Sequence, residues 1–146
     1  MFGVRHFEIS DLERVVEIAS GSLTESYAPE FFLNICTFYP DCFLVADGCD
    51  AKTAGFIIGI RNDCSSARIL LLAVDESHRG EGIGSRLLGR CLHMLQLHNA
   101  KSVTLEVGVE NVKAVSFYLN RHFRIKELVK GIYNDGSDAY VMEAVL

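Results

Sequence analysis

Three glycines at alternate positions, Gly80, Gly82 and Gly84, lie between an apolar run and a segment with helical periodicity. Glycine lets a ligand approach the backbone closely because it carries no side chain. The first turn of a helix also leaves N–H groups without partners, and these groups favour an anion. Residues 69–95 therefore predict a strand, a glycine-rich turn that binds phosphate, and a helix.

The spacing of these glycines excludes two common phosphate-binding loops. A P-loop ends in Gly-Lys-Ser/Thr, and the dinucleotide fingerprint reads G-x-G-x-x-G. This chain has neither, because its glycines run G-x-G-x-G. A nucleotide-binding domain is therefore disfavoured. The remaining alternative is a helix that simply begins with glycines, but a helix cap accounts for only one of them.

Two further residues, Glu106 and Tyr118, could move protons. If the apolar neighbours Leu105 and Val107 face the core, Glu106 faces the opposite side of its strand, where a carboxylate could accept a proton from an amine. Tyr118 lies two helical turns after Asn111 on the same helix face. A phenol, with an ordinary pKa of about 10, could protonate a departing thiolate. A solvated strand carboxylate and a core tyrosine are the alternatives.

The pattern of the chain predicts the elements that must position these residues. Ser10 and Glu13 read as a capping box, Gly21 as a helix end and Pro29 as a first helical position, which predicts two helices. Two more helices follow the glycine turn and Asn111. Alternating or apolar runs predict strands over residues 4–9, 42–47, 53–61, 69–74, 102–109, 123–129 and 139–145. The order predicts an α/β fold with a mixed sheet of about seven strands and helices on both faces.

The composition is that of one folded domain, predicted over residues 1–146. With 49% hydrophobic and 23% charged residues the chain can form a core, and no apolar run reaches the roughly 20 residues that span a bilayer. A net charge of −5 argues against general nucleic-acid binding. The N-terminus lacks the basic and apolar regions of a signal peptide, which predicts a cytoplasmic protein.

The cysteines and histidines show no pattern of a site. The five cysteines are odd in number and form no C-x-x-C pair, so free buried or half-buried thiols are expected instead of a disulfide framework or a zinc site. The five histidines lack metal-ligand spacing. No metal is therefore predicted.

The glycine turn resembles the coenzyme A loop of the GNAT acetyltransferases, which reads Arg/Gln-x-x-Gly-x-Gly/Ala. In this chain the pattern falls on Arg79, Gly82 and Gly84, after an apolar strand and at the start of an amphipathic helix. The predicted element order is also that of the GNAT fold. The resemblance implies the GNAT acyl-CoA acyltransferase fold, with a mostly antiparallel sheet, and acetyl-CoA as cosubstrate.

Further stretches resemble the N-terminal protein acetyltransferases of the ribosomal-protein alanine and archaeal types. Residues 105–123 are similar to L-E-V-x-x-x-N-x-x-A-x-x-x-Y-x-x-x-x-F, and residues 132–142 to Tyr-Tyr-x-x-Gly-x-Asp-Ala-Tyr-x-Met. Ala28, Pro29 and Glu30 are near a Leu-Pro-Glu loop that contacts the substrate terminus in that family. The chain departs from these patterns at Ala28, which replaces a larger apolar residue, and at the first tyrosine, which is isoleucine here.

The resemblance also implies roles for individual residues. Glu106 would be the general base and Tyr118 the acid, in a direct transfer within a ternary complex. In the GNAT fold the strand before the glycine turn bulges and separates from the next strand, so the backbone N–H near Val74 would polarise the carbonyl. Arg79 with Arg86 would add charge beside the phosphates. The coenzyme is expected to contact Leu72, Ala73, Val74, Arg79, Gly80, Glu81, Gly82, Ile83, Gly84, Ser85, Asn111 and Tyr118. The substrate is expected to contact Ala28, Pro29, Glu30 and Tyr133.

The leading hypothesis is transfer of an acetyl group to the N-terminal α-amine of a protein or peptide. One alternative is a GNAT enzyme that acts on a small amine. A second is a non-catalytic module that binds acyl-CoA or a peptide, against which the presence of both Glu106 and Tyr118 argues. None of the cysteines falls in a GNAT catalytic motif, so no acetyl-cysteine is expected. No nucleic-acid or membrane partner is predicted, and a homodimer and an auxiliary subunit both stay open.

Overall fold

A computed structural model describes residues 3–23 and 25–146, and its strands form one sheet. The strands are β1 Val4–His6, β2 Cys42–Asp47, β3 Thr53–Arg61, β4 Ser66–Val74, β5 Ser102–Gly108, β6 Arg124–Val129 and β7 Ala139–Val145. Their order is β1-β2-β3-β4-β5-β7-β6, and each neighbouring pair is antiparallel except the parallel pair β4 and β5. The predicted mixed, mostly antiparallel sheet is confirmed.

Helices cover both faces of this sheet. The described ranges contain α1 Leu12–Ser22, α2 Pro29–Phe38, α3 Ile83–Leu97 and α4 Val112–Leu119, with short 3-10 helices at Ile9–Asp11 and Glu76–His78. One buried cluster contains Val15 of α1 and Phe32 of α2, and the other contains Leu87 of α3 and Tyr118 of α4. The predicted arrangement of helices is therefore confirmed. None of the helices in the described ranges has the length and apolarity that crossing a bilayer requires.

β1 is shorter than the sequence predicts. It ends at His6 instead of residue 9, because the chain turns to bury Asp11, which is 6% exposed. Both carboxylate oxygens of Asp11 accept bonds of 2.8 Å from Arg5, and Oδ2 also accepts from the Glu8 N–H at 2.8 Å. Burial raises the pKa of Asp11, but these hydrogen bonds, those of Arg5 first, lower it below its usual value.

Two predicted helix signals near α1 are wrong. The capping box is formed by Glu8 and Asp11, not by Ser10 and Glu13. Gly21 does not end the helix, because α1 continues past it through one more residue. The first error arises because the carboxylate of Asp11 accepts the Glu8 N–H, so the box begins two residues earlier.

β4 begins at Ser66, before the predicted residue 69, and changes its facing at Leu70. The ladder with β3 pairs Gly59 with Ile69 and Ile58 with Leu71, so Leu70 is an extra residue, a β-bulge. A slip of one residue turns every later side chain to the other face. Ile69 therefore packs in the cluster of α3, whereas Leu71 packs in the cluster of α1 and α2.

β4 and β5 separate beyond the bulge and leave a gap in the sheet. Their parallel ladder joins residues 66–69 to residues 102–105 and ends there. β4 nevertheless continues to Val74 and β5 to Gly108. The gap therefore lies between the carboxyl ends of two parallel strands, which is where ligands of α/β sheets commonly bind.

Candidate active site

The gap between β4 and β5 opens into a cleft of about 490 Å³. The carboxyl halves of both strands, the start of α4, the loop before α2 and the β6–β7 loop line it. Among the predicted site residues, the lining includes Leu72, Glu106, Asn111, Tyr118 and Tyr133. Asn111 also caps α4 as expected, since its side chain accepts a bond from the Ala114 N–H.

Glu106 faces this cleft from β5. Leu105 and Val107 are 2% and 5% exposed and pack in the α3 cluster, so strand alternation places Glu106 on the opposite face. Its Oε1 accepts a bond of 2.5 Å from Nη2 of Arg68. The side chains of this pair are 43% exposed for Arg68 and 25% for Glu106. Because such a solvated pair adds little to folding stability, its main consequence is for the cleft.

Tyr118 reaches the cleft from the other face of the sheet. Its ring packs edge-on against Phe117 and Phe123, with centroids 5.2 and 5.4 Å away. No hydrogen bond joins its hydroxyl to a described residue, and within the described ranges no fully buried side-chain oxygen lacks a partner, so the hydroxyl is open to the cleft. Burial in this apolar setting raises the pKa of Tyr118 well above its usual value. The phenol therefore stays protonated.

The glycine turn enters α3 through two left-handed residues. Gly80 and Gly82 have φ of 82° and 81°, and a side chain at either would meet no atom within 4 Å. The space above them is therefore open to a ligand. The N–H groups of Ile83, Gly84 and Ser85 form the first turn of α3 and have no intrahelical partners. Their dipoles favour an anion at this end, which fits the predicted phosphate site.

The backbone of β4 beyond the bulge offers a second set of donors. The Asp75 N–H bonds the Ala54 carbonyl of β3 at 2.7 Å, and antiparallel ladders alternate between bonded and non-bonded pairs. Ala73 therefore bonds toward β3, whereas the N–H groups of Leu72 and Val74 point into the gap. A ligand with amide groups could pair with them like an added strand.

Arg79, which was predicted to lie beside the phosphates, and Arg121, which was not, both make hydrogen bonds near the glycine turn. Arg79 turns back toward the protein, where its Nε donates to the Val74 carbonyl at 3.3 Å and its Nη2 to Oγ of Ser22 at 3.1 Å. Another arginine, Arg121 in the loop after α4, donates instead to Oγ of Ser85 in the first turn of α3. No local motif marks Arg121.

Asp75 fixes the turn that precedes the glycines. Its Oδ2 accepts bonds from Oγ of Ser77 at 2.8 Å and from Nη2 of Arg14 at 2.7 Å. Nδ1 of His78 lies 3.2 Å from the same oxygen. These contacts, that of Ser77 first, lower the pKa of Asp75 to about 2. The network ties the turn to α1, which carries Arg14.

Side chains from the loop before α2 and from the β6–β7 loop line one part of the cleft. Tyr27 and Tyr133 line it, and burial, followed by neighbouring carboxylates, raises the pKa of both phenols. Oε1 of Glu25 accepts the backbone N–H of Asn134 at 2.9 Å, and Oε2 accepts from the Asn134 side-chain amide. This bridge joins the loop before α2 to the β6–β7 loop.

Several predicted contact residues lie outside the cleft lining. Ala28, Pro29 and Glu30 are exposed at the start of α2 and do not line the cleft, although the adjacent Tyr27 does. Glu81 is exposed beside the glycine turn. Ala73, Val74 and the other residues of the turn, 79–85, are also absent from this lining. The roles assigned to all the predicted site residues stay predictions.

The cysteines are free thiols, as expected, but two of them are more exposed than predicted. Cys42 and Cys91 are buried and Cys36 is half-buried, whereas Cys49 and Cys64 are exposed. Within residues 3–23 and 25–146, no group of histidine, cysteine and carboxylate side chains is arranged to hold a metal ion.

Comparison with known proteins identifies relatives along nearly the whole chain. The profile of the acetyltransferase (GNAT) family matches residues 12–123. An N-alpha-acetyltransferase of Sulfolobus acidocaldarius is 33% identical, with 99% of this chain and 93% of that protein aligned. The crystal structure of Ard1 from Thermoplasma volcanium is 36% identical and covers 99% of this chain and 97% of its own, with a TM-score of 0.95. Naa20 from Chaetomium thermophilum, solved with a bisubstrate analogue, is 26% identical and covers 99% and 86%, with a TM-score of 0.90.

Proposed function

The chain belongs to the GNAT acetyltransferase family, and from this premise we propose that it acetylates the N-terminal α-amine of a protein or peptide, with acetyl-CoA as donor. The observation that carries the proposal is the cleft through the sheet, lined by Glu106 on one face and Tyr118 on the other. The alignment with a named N-alpha-acetyltransferase over 99% of the chain favours an α-amine over a small-molecule amine.

The backbone around the gap fits the coenzyme. The N–H groups in the first turn of α3 would hold its diphosphate, and those of Leu72 and Val74 would pair with its pantetheine amides. Acetyl-CoA supplies an acetyl thioester, whose carbonyl carbon an amine can attack. The Val74 N–H points into the gap, where it would donate a hydrogen bond to the carbonyl oxygen.

Two side chains would then move the protons. An α-amino group has a pKa of about 7.7–8.0, so a carboxylate is a sufficient base near neutral pH. The bond from Arg68 uses Oε1 of Glu106, which leaves Oε2 to accept a proton from the amine or from an intervening water. The hydroxyl of Tyr118, held protonated by its burial, would donate a proton to the departing sulfur.

The part of the cleft lined by Tyr27 and Tyr133 would receive the first residues of the peptide. The bridge between Glu25 and Asn134 joins the two loops that carry these tyrosines. A flexible chain terminus can enter a cleft more readily than a side chain on a folded surface.

The test is acetyl-CoA turnover on a peptide library varied at positions one and two. The same peptides with a formylated N-terminus serve as controls, and amino sugars, polyamines and free amino acids are assayed in parallel. We expect turnover of free N-termini and none of formylated ones. Turnover confined to the small amines would contradict the proposal.

A further inference from the structure

Arg121 is held rigidly at the first turn of α3. Its Nη2 donates to Oγ of Ser85 and its Nη1 to the carbonyl of Phe117 at 2.9 Å. The guanidinium carbon also lies 3.8 Å from the centroid of the Phe117 ring. A stacked, planar guanidinium is pre-organised, so little side-chain freedom is lost when it binds an anion.

The position of this charge is unfavourable without a ligand. Ser85 is the third residue of α3, so Arg121 lies near the positive end of the helix dipole, where a cation is disfavoured. The first turn of α3 contains no acidic residue. Within the described ranges, the hydrogen bonds of Arg121 go to a hydroxyl and a carbonyl and to no carboxylate. A bound anion would supply the counter-charge that these contacts lack.

We propose that Arg121 binds the diphosphate group of the coenzyme. It takes the role that the sequence indicated for Arg79, whose guanidinium is bonded to Val74 and Ser22. A guanidinium has five N–H donors, so donors remain for phosphate oxygens after those to Ser85 and Phe117. The inference rests on the proposed function only through its coenzyme, and it holds for any acetylated amine.

The test is calorimetric binding of coenzyme A and 3′-dephospho-coenzyme A to the wild type and to Arg121→Gln. Arg90→Gln removes one charge from the exposed side of the same helix and is the matched control. We expect Arg121→Gln to raise Kd by about tenfold or more for both ligands, as loss of a charged hydrogen bond does. Arg90→Gln should stay close to wild type.

Equal affinities of Arg121→Gln and Arg90→Gln would overturn the inference. A loss that vanishes with 3′-dephospho-coenzyme A would overturn the placement at the diphosphate and move Arg121 to the 3′-phosphate. If thermal unfolding shows that Arg121→Gln is not folded, Arg121→Lys replaces it in the same comparison. The expected loss of coenzyme affinity is then smaller, because lysine keeps the charge but not the planar guanidinium. Binding without turnover of any peptide would contradict the proposed function and leave this inference intact.

Discussion

The two ends of the cleft are built from different parts of the chain. At the coenzyme end most donors are backbone N–H groups, placed by a glycine turn, a helix start and a splayed strand, with Arg121 as the proposed side-chain donor. At the amine end the groups are paired side chains, Arg68 with Glu106 and Glu25 with Asn134. Backbone donors are indifferent to most substitutions, whereas a side-chain pair changes with either residue. Coenzyme binding and amine chemistry should therefore be separable by mutation.

Glu106→Gln should separate amine chemistry from coenzyme binding most strongly. The substitution keeps the shape of the side chain but removes its ability to accept a proton. Turnover of an N-terminal peptide should fall by about 10² to 10⁴, with little change in acetyl-CoA affinity. The defect should shrink from about pH 6 to 10, because more of the amine is already neutral. Glu110→Gln, at another carboxylate of the cleft lining, is the control. Wild-type rates for Glu106→Gln at pH 7 would return Glu106 to a solvated carboxylate.

Tyr118→Phe should lower turnover by about 10² and should not recover at high pH. The raised pKa of Tyr118 keeps the wild-type phenol protonated through this range, so its removal acts equally at every pH. The measurement is the pH–rate profile of wild type and variant, and the two profiles should run parallel. Recovery equal to that of Glu106→Gln would show that both residues only position the amine.

Gly82→Ala tests the coenzyme end of the cleft and should leave the proton-transfer groups unchanged. Gly82 and Gly131 both have positive φ and open space for a Cβ, so alanine at either should cost a similar 1 kcal/mol or so of stability. Only Gly82→Ala should weaken acetyl-CoA binding, by about tenfold or 1.4 kcal/mol. Calorimetry and thermal unfolding of both variants measure the two effects. Equal coenzyme affinities would contradict the assignment of the turn.

The smallest expected effect concerns the turn that leads to the coenzyme end. Contacts in the folded protein lower the pKa of Asp75 to about 2, from about 3.9 in an unfolded chain. The ionised carboxylate therefore stabilises the fold at pH values above about 3.9. That stabilisation is lost as the pH falls toward the pKa of the folded state. Asp75→Asn should lower Tm by a few degrees at pH 7 and by less at pH 3. A Tm difference that is independent of pH would contradict this account.

The sequence predicted the coenzyme end more completely than the amine end. The glycine turn and the periodicity of α3 are local, and local patterns can be read without a structure. Arg68 and Glu106 are separated by 38 residues, and Glu25 and Asn134 by 109. No periodicity connects such pairs, and the same holds for Arg121, whose contact with α3 depends on how α4 docks.

The errors in the fold have a similar cause. The predicted extent of β1 and the predicted capping box failed where Arg5 bonds to the buried carboxylate of Asp11. The resemblance to the GNAT family implied a bulge in this strand, but its position at Leu70 was not predicted, because nothing in an apolar run shows where a ladder slips. The order and type of elements were predictable because hydrophobic periodicity determines them.

The bulge at Leu70 also limits how this chain can change in length. Removing Leu70 would restore regular pairing with β3 and leave Leu71 and Ala73 facing α1 and α2, because Ile69 and Leu71 already pair with adjacent residues of β3. The strand would also lose the slip that precedes its separation from β5. A surface loop can absorb an insertion or deletion at small cost, whereas loss of the single residue Leu70 would change the course of the strand that lines the cleft.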